Sequence, residues 1–273
     1  MALRAEQREC VLTYFIELQE RLLEAFLQVN GGGQIQGREW VRGEGGGGTM
    51  GVLRGEVVEK AAANRSAVHG TDYPGGLDLK GELKGKPFSA AGVSTICHMR
   101  NPFAPIGHMN VRLLEVGDTF WFGGGADLTP CFPFEEDTKE FHLALRAACD
   151  SHPCQGMVSY DKFSKWCDEY FYIPHRKSVR GVGGIFFDYL QGDFDALFAF
   201  LRCIGDTYAE VYPRILMRRK DHPFTPEEKE QQLYWRGRYA EYNLIYDRGT
   251  KFGLMTGGNT EAIFVSLPPV VKW

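Results

Sequence analysis

The chain has 273 residues, 44% of them hydrophobic and 24% charged, with a formal net charge of −4 and a pI near 6.0. Such a composition suits a globular protein with a sizeable core, and its mild acidity excludes broad electrostatic adhesion to nucleic acid or to an anionic membrane surface. Seven cysteines, scattered and without a C-x-x-C pair, suggest neither a disulfide framework nor a zinc knuckle; with no apolar run of membrane-spanning length and no leader-like N-terminus, the expectation is a cytoplasmic protein without a transmembrane segment.

Val11, Phe15, Leu18, Leu22, Phe26 and Val29 recur at helical spacing, and Asn30 before Gly31-Gly32-Gly33 supplies the stop. The run Gly45 to Gly48 reads as a loop, with an anion-binding nest as the alternative, ahead of a strand from Met50 to Val58. Strands follow over 88–98, 107–116 and 119–122, the last two joined by the turn Val116-Gly117-Asp118. Helices are predicted over 134–152, 160–173 and 194–216, with a strand at 183–187 between the last two. Thr225-Pro226-Glu227-Glu228 is a capping box that opens a helix expected to end near Gly237, and 239–246 and 262–267 read as closing strands. No repeat or Pro/Ser-rich linker divides the chain. The expectation is one α+β domain over 1–273, an antiparallel sheet covered by helices.

The chemistry concentrates between Gly92 and Arg112. Ser94, Ile96 and His98 share one face of a strand; after the Pro-bearing loop 101–105, His108, Asn110 and Arg112 share one face of the next, with Met109, Val111 and Leu113 opposite. Lining a sheet face with groups that are costly to desolvate points to a polar ligand. Arg112 offers a planar fork for carboxylate or phosphate, or else an internal salt bridge. His98 and His108 suit metal binding, acid–base work or a structural role, with His142 and His175 as further metal candidates distant in sequence. Asp127, after Gly123-Gly124-Gly125, reads equally as an acceptor for ligand N–H groups and as a turn aspartate. Gly257-Gly258 reads as a ligand-embracing loop or an ordinary turn, and Arg176 and Arg180 as a second basic cluster or a solvated turn. No P-loop or G-x-S-x-G motif is present, and a nucleotide cofactor and a Ser94 nucleophile lack support.

From Gln34 to the last residue the chain resembles the oxygen-dependent coproporphyrinogen III oxidases. The resemblance is carried in one order by Gly45-Gly-Gly-Gly48, Glu59-Lys60-Ala61, Gly92-Val-Ser94, His98 to Arg112, Trp121 to Pro130, Lys165-Trp-Cys-Asp-Glu-Tyr170, Arg180-Gly-Val-Gly-Gly-Ile-Phe-Phe-Asp188, Arg236-Gly-Arg-Tyr239 and Tyr246-Asp-Arg-Gly-Thr-Lys-Phe-Gly253. It implies a homodimer with a flat antiparallel sheet between layers of helices, joined through the region from Tyr239 onward. The implied reaction converts two propionates of coproporphyrinogen III to vinyl groups, giving protoporphyrinogen IX, with molecular oxygen as co-substrate and no organic cofactor. By resemblance, His108 is the proton donor, Ser94 a substrate contact, and Asn110-Val111-Arg112 and Gly257-Gly258-Asn259 are substrate-binding segments. Asp127 is the acceptor for the pyrrole N–H groups, and His98, His108, His142 and His175 match histidines assigned to a divalent metal in some members. Asn259 stands where the family more often has arginine. A non-catalytic tetrapyrrole carrier and a histidine-metal hydrolase are the competing readings.

Overall fold

The N-terminal apolar stripe forms α1 (Ala5–Asn30), closed by Gly31 in the left-handed conformation. In the computed structural model, which describes residues 2–75 and 82–273, α1 lies across a sheet built from β1 (Gln36–Val41), β2 (Gly46–Leu53), β3 (Val58–Gly70), β4 (Phe88–Met99), β5 (Ile106–Val116) and β6 (Thr119–Thr129). Next come α2 (Glu135–Asp150), α3 (Tyr160–Tyr170), a short hairpin of β7 (Tyr172–Ile173) and β8 (Ser178–Val179), and β9 (Gly183–Leu190). The chain closes with α4 (Phe194–Arg219), α5 (Pro226–Ile245), α6 (Arg248–Met255) and α7 (Thr260–Phe264). Among the described residues the main sheet has seven strands in the order β1-β2-β3-β4-β5-β6-β9, all antiparallel. The α+β expectation holds.

The two faces differ because the strands alternate. Val93, Cys97, Met109, Val111, Leu113 and Phe122 point to one side and share a core with Phe15 and Leu22 of α1, Phe141 of α2 and Leu201 and Ile204 of α4. Each such fully buried side chain contributes about 1.5–3 kcal/mol. On the opposite side α5 seats Tyr239 on Ile96 and Ile106, and α6 and α7, which bury no side chain fully, roof a cavity instead. No helix among the described residues is long and apolar enough to cross a membrane.

Three expectations are corrected. The glycine run is not a loop: Gly46 to Gly48 lie in β2, paired with Ser66 to Val68. A Cβ at Gly48 would strike the Trp40 ring at 2.6 Å, so the run lets Trp40 lie flat on the sheet. The segment expected as a strand from Tyr239 is instead the end of α5, which runs to Ile245 with Tyr246 as its C-cap, because Tyr239 and Tyr242 are spaced to bury one face of α5 and Gly237 is the point where the backbone of Lys272 packs against it. Segment 262–267 is not a strand; Asn259 caps α7 there by accepting from the Ala262 amide at 3.0 Å.

The sheet core carries an alkaline weakness. Cys97 and Cys149 are 0% and 1% exposed, and burial pushes each thiol up to about 12. A folded-state pKa above the unfolded value of about 8.5 gives stability that is complete below pH 8.5 and lost as pH rises toward 12. Each thiol should therefore remove about 1.4 kcal/mol per pH unit above that point. Urea unfolding from pH 8 to 10 is expected to show a shallower decline for Cys97→Ala/Cys149→Ala than for the wild type.

Candidate active site

The register places chemistry in rows across the sheet. Asn64 on β3, Ser94 on β4, Asn110 on β5, Gly125 on β6 and Phe186 on β9 are successive partners, so they share one face and one level. One step along, Ser66, Gly92, Arg112 and Gly123 form a parallel row. Glycine at 92, 123 and 125 leaves a low floor from which Ser94, Asn110 and Arg112 stand up. Above this floor lies a cavity of about 320 Å³, within the range of small-molecule sites. Its far wall is α6 and α7, contributing Asp247, Arg248, Gly258 and Asn259.

That wall hangs from the sheet by side chains that donate to its backbone carbonyls. Arg42 Nε reaches Thr256 O at 2.6 Å and Asn64 Nδ2 reaches Ala262 O at 2.8 Å. His98 Nε2 donates to Ser266 O at 2.8 Å, and Lys60 donates to Leu267 O. Burial of the Lys60 ammonium pulls its pKa down to about 8.

Farther along the same face, beside the open floor, runs a buried chain of charges. Asp127, 1% exposed, accepts two bonds from Arg180 Nη2 at 3.0 and 2.9 Å and one from His108 Nδ1 at 3.2 Å. Burial alone would raise the Asp127 pKa, but the Arg180 guanidinium and His108 outweigh it and hold the carboxyl below its ordinary range. An ionised carboxylate only accepts, so the hydrogen must sit on His108 Nδ1. Nε2 is then the nitrogen free to exchange a proton in the cavity that His108 lines. Arg180 is itself wrapped by aromatic faces, Phe171 at 4.0 Å, Tyr239 at 4.5 Å and Tyr242 at 4.9 Å, and its Nη1 donates to Asn243 Oδ1 at 3.0 Å. This offsets the desolvation of a guanidinium that is 4% exposed.

The structure brings together Ser94, His108, Asn110, Arg112, Gly258 and Asn259 around one cavity. Val111 joins that wall, but its side chain belongs to the core on the other face, so only its backbone can serve a ligand. Two expectations are revised. Asp127 does not line the cavity: it lies on the same sheet face as His108 but is buried there with both oxygens engaged by Arg180, and its bond to His108 links it to the cavity. The four histidines do not converge. His98, fully buried, bonds Ser266 O, and burial holds its ring well below the ordinary pKa; His142 bonds the Tyr160 hydroxyl and Val182 O; His175 bonds Tyr246 and Glu241. Among the described residues no three His, Cys, Asp or Glu side chains are gathered as a metal site. The donors present do not fit a four-histidine metal centre. Gly257, with φ of +65°, forms the turn after α6 and lies outside the cavity lining.

Sequence reasoning missed Asp188, and it left Arg180 and Arg248 in basic clusters without assigning either a role. Arg180 reads as a basic cluster or a solvated turn, yet the apolar strand Gly183 to Phe187 directly after it was the signal that this segment dives inward. Asp188, a carboxylate closing that strand, is fully buried at its side chain and pairs with Arg112 Nη2 at 2.8 Å. Arg248 follows Asp247, whose Oδ2 accepts from the Thr250 amide at 2.6 Å and starts α6.

The cavity face therefore carries a histidine held at Nδ1 by a buried carboxylate, with the guanidinium groups of Arg112 and Arg248 beside it. Residues 10–273, nearly the whole chain, match the family model described as coproporphyrinogen III oxidase, and the chain belongs to that family. Membership places it in haem biosynthesis as a coproporphyrinogen oxidase, with coproporphyrinogen III as the substrate the family implies.

Proposed function

We propose that the protein carries out the oxygen-dependent form of this reaction, oxidatively decarboxylating two propionates of coproporphyrinogen III to vinyl groups. The observation that carries the reading is the convergence of Ser94, His108, Asn110 and Arg112 from adjacent strands on one cavity roofed by Arg248 and Asn259. Four propionates require forks and amides, and that is what stands on the floor. In each half-reaction the carboxylate seated at Arg112 leaves as carbon dioxide and the β-carbon loses a hydrogen with its electron pair. Oxygen takes the electrons and becomes hydrogen peroxide with one further proton: R–CH2–CH2–COO− + O2 + H+ gives R–CH=CH2 + CO2 + H2O2. The electron pair that reduces oxygen comes from the propionate itself, and the electron-rich pyrrole delocalises the positive charge left at the β-carbon until carbon dioxide departs, so the reaction needs no organic cofactor. His108 Nε2 exchanges the proton, and Asp127 with Arg180 keeps the ring in the tautomer that permits it.

Asn259 lines the cavity and, as the cap of α7, shapes its roof. The exposed Leu244, Ile245 and Met255 support a homodimer through the region from Tyr239 onward, and seven free cysteines suit a reducing, cytoplasmic setting. Incubation with coproporphyrinogen III under air is expected to yield protoporphyrinogen IX with matched oxygen uptake, and under anaerobic conditions no product. Tight binding without oxygen uptake would establish a carrier instead.

A further inference from the structure

Arg112 and Asp188 are partners across a strand they do not belong to. Arg112 is on β5, Asp188 on β9, and β6 runs between them with Gly123 opposite Arg112. A Cβ on Gly123 would stand 2.5 Å from Asp188 Oδ1, 2.8 Å from Arg112 Nε and 2.9 Å from Arg112 Nη2. The ion pair thus occupies the space a side chain would fill, lying over the bare backbone of β6. The pairing of β6 with β9 slips at this point: Phe122 faces Leu190 and Gly124 faces Phe187, so Asp188 and Tyr189 together oppose Gly123. That is a β-bulge, and Tyr189 adopts the left-handed conformation at φ +58°, which a bulky residue does at a cost.

The bulge sets two arginines at once. Asp188 Oδ2 accepts from Arg112 Nη2 at 2.8 Å, while the Tyr189 hydroxyl accepts from Arg248 Nη2 at 2.8 Å. Asp188 Oδ1 accepts from the Tyr189 amide at 3.0 Å, which locks the two residues to each other. On the other side, Arg112 Nη1 donates to Asn110 Oδ1 at 2.5 Å. Two guanidinium groups on opposite walls of one cavity are therefore positioned by adjacent residues of one irregular turn of strand.

We propose that the Asp188-Tyr189 bulge, seated over Gly123, fixes the spacing of Arg112 and Arg248 so that two carboxylates of one substrate are held at once, making Asp188 a positioning residue for turnover. The inference rests on the reading of the cavity as a propionate-binding site. Asp188 does not hold substrate; as a carboxylate it opposes carboxylate binding. Its removal should leave affinity intact while the reacting group is seated less accurately, and a misplacement of about 1 Å can cost about a hundredfold in rate.

The test uses coproporphyrin III, the oxidised and unreactive ring, titrated by fluorescence to give both affinity and the number of competent sites, followed by kcat per titrated site with coproporphyrinogen III in air. Asp188→Asn is expected to keep the coproporphyrin Kd within threefold of wild type and to lower kcat per site at least tenfold. Gly123→Ala, which displaces the pair without removing a charge, is expected to give the same signature. Overturning results are kcat per site within twofold of wild type in both variants, or a loss of titratable sites with kcat per site unchanged, which would make the bulge merely structural. A wild type that binds coproporphyrin III but turns nothing over would refute the reaction reading, separately from this inference.

Discussion

Asp127→Asn is expected to lower kcat by about 10²–10⁴-fold with little change in KM. The reason is tautomeric. Asparagine can keep its oxygen on Arg180, but its amide nitrogen then faces His108 Nδ1 and donates, so Nδ1 must accept and the ring hydrogen moves to Nε2. With Nδ1 forced to accept, the ring cannot carry a second hydrogen as an imidazolium, so Nε2 has no acidic proton to hand to reduced oxygen. Steady-state kinetics as a function of pH check this, because a histidine in the wrong tautomer shifts the profile whereas a diminished folded fraction only scales it. Asp127→Ala has a second consequence: it strands the Arg180 guanidinium, 4% exposed, without its counter-charge, at a cost of about 3–5 kcal/mol. Urea midpoints should separate the two variants, Ala falling far below Asn. Near-wild-type kcat in Asp127→Asn would remove the carboxylate from the mechanism.

This arrangement was half legible in the chain. The two-residue period of Ser94, Ile96, His98 and of His108, Asn110, Arg112 dictates which side chains share a face, and the observed register, Ser94 against Asn110 and Ile96 against His108, puts the two sets side by side. A short apolar and polar alternation of this kind has few other solutions. What periodicity does not reveal is depth. Asp127 and Asn110 lie on the same face, yet one is buried beneath an arginine from the loop before β9 and the other opens on the cavity. That difference depends on Arg180, more than fifty positions away, finding an aromatic cage built from α3 and α5.

The helical roof was obscured for a related reason. Gly237 reads locally as a helix stop, but its missing side chain is used by the C-terminal backbone packing on α5, a contact invisible until the chain end is placed. Likewise the bulge at Asp188-Tyr189 has no sequence signature beyond a carboxylate after an apolar run; the left-handed residue is a tyrosine, not the glycine or asparagine that would have marked it. Positions where local preference and observed conformation conflict are where the site is assembled.

Arg112→Ala is expected to remove a charge-assisted contact to the reacting carboxylate, about 1.5–3 kcal/mol, or roughly 10- to 150-fold in kcat/KM. It also leaves Asp188, whose side chain is 0% exposed, with a buried charge and no guanidinium, and stability should fall by about 3 kcal/mol or more. The two effects are separable. Arg112→Ala/Asp188→Ala deletes both charges and is expected to recover most of the lost urea stability while activity stays low, because the substrate contact is not restored. Arg112→Lys keeps the charge but offers a point donor in place of a planar fork; with Asn110 on one side and Asp188 on the other, an ammonium cannot bridge both and still present a second edge to a carboxylate. Its stability should lie near wild type and its kcat/KM near that of alanine. If lysine instead restored turnover, charge alone would suffice at this position and the fork geometry across Gly123 would have no catalytic purpose.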